Sequence, residues 1–211
     1  MKTIKKYKIP ILVVGAVLLG GFLIWLLVGT ALFGFLYLSY ESTNVDVHTD
    51  IANYEKFIGK KAYVEFQDKW GMDETIFPAK ITDKMLVKDY KMVYYNPWDA
   101  QYLSYLVVQY DEEEYAKEME RLHAYESTEY LGYYGVEGFD ENYDLTAMYA
   151  DSYQGFVYAL TDNANTIIYV EIIFCNYFMD LEYKEYIKEE YLPVGFDATL
   201  NNPYEQKMRA M

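Results

Sequence analysis

Glu171 interrupts the most apolar stretch of the chain, Thr166 to Phe174, and is the acid whose setting looks least ordinary. A carboxyl half-buried among aliphatic and aromatic side chains has a raised pKa, which is the physical setting of a general acid. Pairs of Asp and Glu at a suitable separation hydrolyse glycosides. With 33 acidic residues such a pair also arises by chance. A Glu on the wet face of a sheet is the plainer reading of Glu171, and an extracellular hydrolase using carboxylates is the sharper one.

Asp140, Asn142 and Asp144 are spaced as positions 1, 3 and 5 of a calcium loop, and Asp151 falls at position 12. Calcium takes such a set of hard oxygens, closed by a bidentate carboxylate. Against this, Leu145 stands where the sharp turn needs glycine, and position 12 is Asp, not Glu. His48 and His123 are too few for a His-rich zinc site, and no HExxH or CxxC pattern occurs. Cys175 ends an apolar strand and reads as a small buried hydrophobe, with a Cys175–His123 dyad as the remote alternative. No GxSxG elbow, SxxK run or phosphate-cradling glycine loop is present, and nothing nominates a cofactor.

Tyrosine is the compositional oddity: 26 in total, 23 of them after residue 40. A ring with a polar tip serves half-buried sheet faces and contact surfaces equally well. The candidate contact surface is Tyr94, Tyr95 and Trp98 around the first hairpin turn, with Tyr158 and Tyr169 on the face of the last hairpin expected to be semi-exposed. Rings with polar rims suit sugar stacking and protein hot spots.

The elements that position these residues are those of an α+β domain with one mainly antiparallel sheet and two to four helices. Strands are expected over 87–95 and 102–110, joined by Asn96-Pro97-Trp98-Asp99, and near 128–134 and 144–150. A hairpin joins 155–160 to 166–174. Pairing Thr161 with Thr166 places Val157, Ala159, Ile168, Val170, Ile172 and Phe174 on one core face, and Phe156, Tyr158, Tyr169, Glu171 and Ile173 on the other. Helices are expected over 50–57, capped by Thr49 or Asp50 and stopped by Gly59, over 111–125, capped by Asp111, and over 181–190. In the second of these, Tyr115, Met119 and Leu122 form the buried stripe. Residues 60–70 fit helix or strand equally, and the tail after Pro193 is poorly patterned.

Ahead of all this, Ile9 to Leu38 is a run of 30 residues without a charged side chain, preceded by Lys2, Lys5, Lys6 and Lys8. About 20 apolar residues span a bilayer. The apolar centre of a cleaved signal peptide is typically about 7–15 residues, so the run reads as an uncleaved signal-anchor. Lysines stay on the cytoplasmic side. The expected organisation is a basic tail (1–8), a transmembrane helix (9–38), a neck or tether (39–50) and an extracytoplasmic domain (51–211). Ala16 with Gly20, and Thr30 with Gly34, have the small-xxx-small spacing of packed helices, although lipid-facing glycine explains them as simply.

After residue 40 the chain carries 14 basic and 33 acidic residues, a balance of −19. That charge repels nucleic acid and anionic lipid. One cysteine excludes an internal disulfide, and no Asn-x-Ser/Thr acceptor is present. Secreted domains of animals and plants lean on such features, so a bacterial surface domain is expected. The resulting expectation is a single-pass cell-membrane protein whose domain binds a membrane or cell-wall protein or a glycan. The rivals are the hydrolase and an accessory subunit or regulator of a membrane complex.

Overall fold

The computed structural model describes residues 3–41 and 44–211, with side chains described for 13–37 and 44–211. The basic tail and the neck residues 38–43 lie outside the described side chains. Two units, 1–44 and 45–211, form separate compact bodies.

The first unit is helix α1, Thr3–Glu41. Its Val13–Tyr37 section has a mean hydropathy of 2.3, and none of its most apolar stretch is buried against protein. At about 1.5 Å per residue, its 25 residues reach roughly 37 Å, enough for a hydrocarbon core of roughly 30 Å. An apolar helix with no protein covering it has a physical explanation in lipid.

The second unit is an α+β domain built on one six-stranded, wholly antiparallel sheet in the order β1-β2-β3-β6-β5-β4. The strands are β1 (Val45–His48), β2 (Leu86–Tyr95), β3 (Gln101–Gln109), β4 (Asp144–Asp151), β5 (Gly155–Thr161) and β6 (Thr166–Ile173). Two three-stranded meanders, β1-β2-β3 and β4-β5-β6, meet where β3 pairs with β6. Helix α2, Glu112–His123, follows β3, and helix α3, Pro203–Arg209, closes the chain. As the residue pattern predicts, Asp111 caps α2 by accepting from Glu114 N (2.8 Å), and Leu122 is fully buried.

Both faces of the sheet are covered, so β3, β5 and β6 are apolar on both parities. One face carries Phe156, Tyr158, Leu160, Ile168, Val170 and Ile172 beneath the segment from Met179 to Ala198. The other carries Val157, Ala159, Ile167, Tyr169 and Ile173 beneath residues 51–77 and Leu122 of α2.

Several sequence expectations change. The last hairpin pairs Thr161 with Ile167, one residue away from the expected Thr166, so Tyr169, Glu171 and Ile173 share a face with Val157 and Ala159. Asp162 fixes the longer turn by accepting from Ala164 N and Thr166 N. Alternation does not specify register when both faces are apolar. The expected tether contains a short strand, β1. The helix expected over 50–57 is a 3₁₀ segment, Ile51–Lys56, capped by Asp50 as foreseen. The strand expected near 128–134 is irregular. Thr128 lies beside β4, donating its N–H to Met148 O (3.0 Å), while its hydroxyl accepts from Ala150 N. In place of a helix over 181–190 there are single 3₁₀ turns, Tyr183–Glu185 and Glu189–Tyr191, separated by extended Lys188. The tail supplies α3, whose cap Asn202 accepts from Glu205 N (2.9 Å).

Candidate functional site: a sealed lysine–carboxylate centre and an open groove

Glu171 lies at the middle of β6, opposite Ser104 of β3, and its side chain is fully buried. The expectation of a half-buried Glu171 on the same face as Phe156 and Tyr158 is therefore corrected: it lies opposite Val157 of β5. The ordering of this carboxylate comes from a loop that left no sequence signal. Asp68 (φ 46°), Trp70 (φ 54°) and Gly71 (φ 77°) adopt left-handed backbone around Lys69. These turns send the lysine inward and Trp70 outward, where its indole donates to Ala100 O (2.9 Å). Left-handed backbone at a bulky residue costs on the order of 1–2 kcal/mol, so the loop holds only because its contacts over-determine it.

Lys69 Nζ donates to Glu171 Oε1 at 2.6 Å, and the Ser104 hydroxyl donates to the same oxygen at 2.6 Å. Glu74 Oε1 lies 2.7 Å from Lys69 Nζ, an ion-pair contact outside hydrogen-bond geometry. Glu74 Oε2 accepts from Gly59 N (2.7 Å), and Asp73 fixes the turn by accepting from Thr75 N. The ammonium also sits 5.3 Å from the Tyr102 ring centre.

Two carboxyls and one ammonium leave one negative charge to neutralise in a dry interior. Burial, then the charge of Glu171, push the Glu74 carboxyl up to about 8. Burial opposes the Lys69 ammonium, but Glu171 and Glu74 outweigh it and hold its pKa above the ordinary value. At neutral pH Lys69 is therefore charged and Glu74 protonated. Glu74 Oε1 and Glu171 Oε2 are buried without a hydrogen-bond partner among the described residues. Tyr54 and Tyr90 close the centre, their hydroxyls raised by burial first and by neighbouring charge second. A general acid must touch its substrate. Sealed as it is, this carboxylate instead clamps the 68–74 loop to the sheet.

The open feature lies on the opposite face. A groove of about 1120 Å³ runs along residues 184–199, rimmed by Asp140, Lys184, Lys188, Glu189 and Glu190, with Leu192, Pro193 and Phe196 in its wall. The backbone at Val194 is pinned by Glu137 N donating to Val194 O and Val194 N donating to Gly138 O, both 2.9 Å. Gly135 (φ 77°) and Gly195 (φ 80°) let the two backbones cross: a Cβ on Gly195 would meet Gly135 O at 2.3 Å.

The aromatic residues singled out from sequence do not form one platform. Neighbours on a strand point to opposite faces. Accordingly Tyr94 packs with Phe66 and Tyr102 on one side of the sheet, while Tyr95 joins the other core. Trp98 is exposed on the turn. Tyr158 and Tyr169, expected to be semi-exposed, are fully buried. Tyr158 OH donates to Tyr191 O (2.7 Å), and Tyr169 OH donates to Glu118 Oε1 (2.6 Å). This is a general use of tyrosine here: Tyr102 to Glu65 O and Tyr134 to Ser152 O fasten irregular segments to the sheet and its β4–β5 turn, and Tyr54 to Pro78 O ties two irregular segments to each other.

Asp140 accepts from the backbone and side-chain N–H groups of Asn142, and Asp144 accepts from Asn163 Nδ2. Asp144 and Asp151 are the two ends of β4, about 23 Å apart at strand rise, so Asp151 is not placed to close a loop around a cation. Among the described residues no three His, Cys, Asp or Glu side chains are grouped to hold a metal. His48 stacks on Phe57 at 4.4 Å, and His123 is exposed at the end of α2. The Cys175 thiol is only partly buried, and burial followed by Asp99 pushes it up to about 12. No protein-family model, curated protein or solved structure matches this chain.

Proposed function

We propose that this chain is a single-pass cell-membrane protein, N-terminus cytoplasmic, holding its domain outside the cell as a non-enzymatic binding module that engages its partner through the groove along residues 184–199. The observation that carries the reading is the uncovered apolar length of Val13–Tyr37 beside a domain with its own core. The Lys2–Lys8 cluster supports the orientation. The mixed charges on the groove rim suit an extended peptide or glycan presented by a neighbouring protein or the wall, with backbone and charged contacts along its length.

Topology is tested by fusing alkaline phosphatase, active only outside the cytoplasm, or a cytoplasm-dependent fluorescent protein after Met211. Active phosphatase with a dark fluorescent fusion is expected, and the reverse pattern rejects the orientation. The groove is tested by placing a photo-crosslinking amino acid at Lys184 in the full-length protein, with Glu120 on α2 as the control position. Discrete adducts at 184 only are expected. Equal labelling at both positions, or none, rejects the groove.

A further inference from the structure

Four of the large apolar side chains exposed on the domain, including its two tryptophans, lie at one end of its sheet. Val64 is 88% exposed, Trp98 76%, Tyr63 53% and Trp70 39%. Their neighbours bring them together. Trp98 lies in the β2–β3 turn, and Trp70 donates to Ala100 O beside it. Residues 63–66 lie over the same end, with the Phe66 ring against Tyr94 and Glu65 O accepting from Tyr102 OH.

The same end receives the chain from α1. Val45, the first residue of β1, pairs with Tyr95, the last residue of β2 before the turn. α1 ends at Glu41 and β1 begins at Val45. Covalent geometry alone limits those four steps to about 14 Å.

We propose that this end of the domain rests in the interfacial zone of the lipid bilayer, with Trp98, Trp70, Tyr63 and Val64 as its contact residues. The inference rests on the reading of α1 as a membrane span. Tryptophan and tyrosine favour that zone, where the ring is sheltered and the N–H or O–H stays hydrated. Exposed Glu65, Asp68 and Asp99 flank the aromatics against exposed Lys60 and Lys61, which leaves no net positive charge here, so the contact is made by ring burial and not by attraction to anionic headgroups. A zwitterionic surface is the matching partner. A tether this short also supplies the surface at high local concentration, so a modest apolar contact suffices.

The chain carries its own control, since its three tryptophans are Trp25, within α1, Trp70 and Trp98. Full-length single-tryptophan proteins, with the other two changed to Phe, are reconstituted in phosphatidylcholine vesicles with bromine on either shallow or deep acyl carbons. The Trp25 protein reports the span, and deep bromines should quench it most. The Trp98 and Trp70 proteins should be quenched by shallow bromines and emit at shorter wavelength than in detergent-free solvent-exposed references. If Trp25 is quenched and neither Trp98 nor Trp70 is, the docking is overturned while the span stands. An unquenched Trp25 overturns both. Inserting a Gly/Ser linker of about 20 residues after Asn44, with a reach of roughly 25 Å, separates docking from mere tethering. Quenching retained at Trp98 supports docking, and quenching abolished by the linker overturns it. Adding phosphatidylglycerol should weaken the quenching at Trp98. Stronger quenching would overturn the aromatic, non-ionic character of the contact.

Discussion

The protonated Glu74 makes stability depend on pH in a direction opposite to that of most carboxylates. Its carboxyl is raised from 4.5 to about 8 in the fold, by burial and then by Glu171. Between those values the folded chain keeps a proton that the unfolded chain has released. The stabilisation is therefore complete below about pH 4.5 and is lost as pH rises toward 8, at up to about 1.4 kcal/mol per pH unit. From pH 5 to pH 7 the loss is on the order of 2–3 kcal/mol. Lys69, Tyr54 and Tyr90 face the same centre, and since all three are raised from already high values they keep one charge state across this window. Surplus acidic charge elsewhere also weakens the fold as pH rises, so the comparison must be with a variant. Glu74→Gln copies the protonated carboxyl and cannot ionise. Urea denaturation of the full-length protein in non-ionic detergent, followed by near-ultraviolet circular dichroism from pH 5 to 8, gives both slopes. The variant should lose stability about 1 kcal/mol per pH unit more slowly than the parent, and match it near pH 5. Parallel slopes would refute the raised Glu74 carboxyl.

Removing the ammonium is a harsher perturbation: Lys69→Met leaves two buried carboxyls unpaired and should cost about 3–5 kcal/mol, while the triple variant Lys69→Met, Glu74→Gln, Glu171→Gln should recover a good part of it in the same denaturation assay. Gly195→Ala forces φ 80° on a side chain whose Cβ meets Gly135 O at 2.3 Å, and should cost more than about 2 kcal/mol, read as a lowered thermal midpoint. Tyr158→Phe deletes the bond to the Tyr191 carbonyl and should cost about 1–3 kcal/mol with faster hydrogen exchange along 188–194. Cys175, its thiol pushed up to about 12, should react with iodoacetamide at pH 8 at least about 100-fold more slowly in the native chain than in urea.

The sheet itself is legible because its strands are long, rich in β-branched and aromatic residues, and separated by turn residues; α2 is legible because Asp111 and three glutamates announce its start. The register of the last hairpin is not, since a strand apolar on both sides tolerates a one-residue slip in the pattern while the turn residue Asp162 decides it. The cover of the sheet is not legible for a related reason. Residues 51–77 and 183–191 form short 3₁₀ turns, whose packing is fixed by tyrosine hydroxyls reaching distant carbonyls and not by periodicity. Helix α3 did carry a readable signal, an Asn202 cap with Pro203 and Glu205 behind it. At the candidate site, the unusual character of Glu171 could be read from its apolar surroundings. Lys69 could not: a lysine between Asp68 and Trp70 looks like any surface lysine, and only left-handed backbone on either side turns it inward.

The meeting of the two meanders at β3 and β6 also sets a timetable for synthesis. Gln109 pairs with Thr166 and Tyr102 with Ile173, separations of 57 and 71 residues along the chain. At about 5–20 residues per second, the finished β2–β3 hairpin waits roughly 3–13 seconds for its central neighbour to be made. Through that interval the apolar backbone edge from Tyr102 to Val108 stands ready to pair with any other strand, including the same edge of another nascent chain. The first polar segment to emerge behind it is α2, led by Glu112, Glu113 and Glu114. A ribosome that pauses before β6 therefore exposes this protein at its most adhesive, and slow codons between 110 and 165 are where expression should be most sensitive to translation rate.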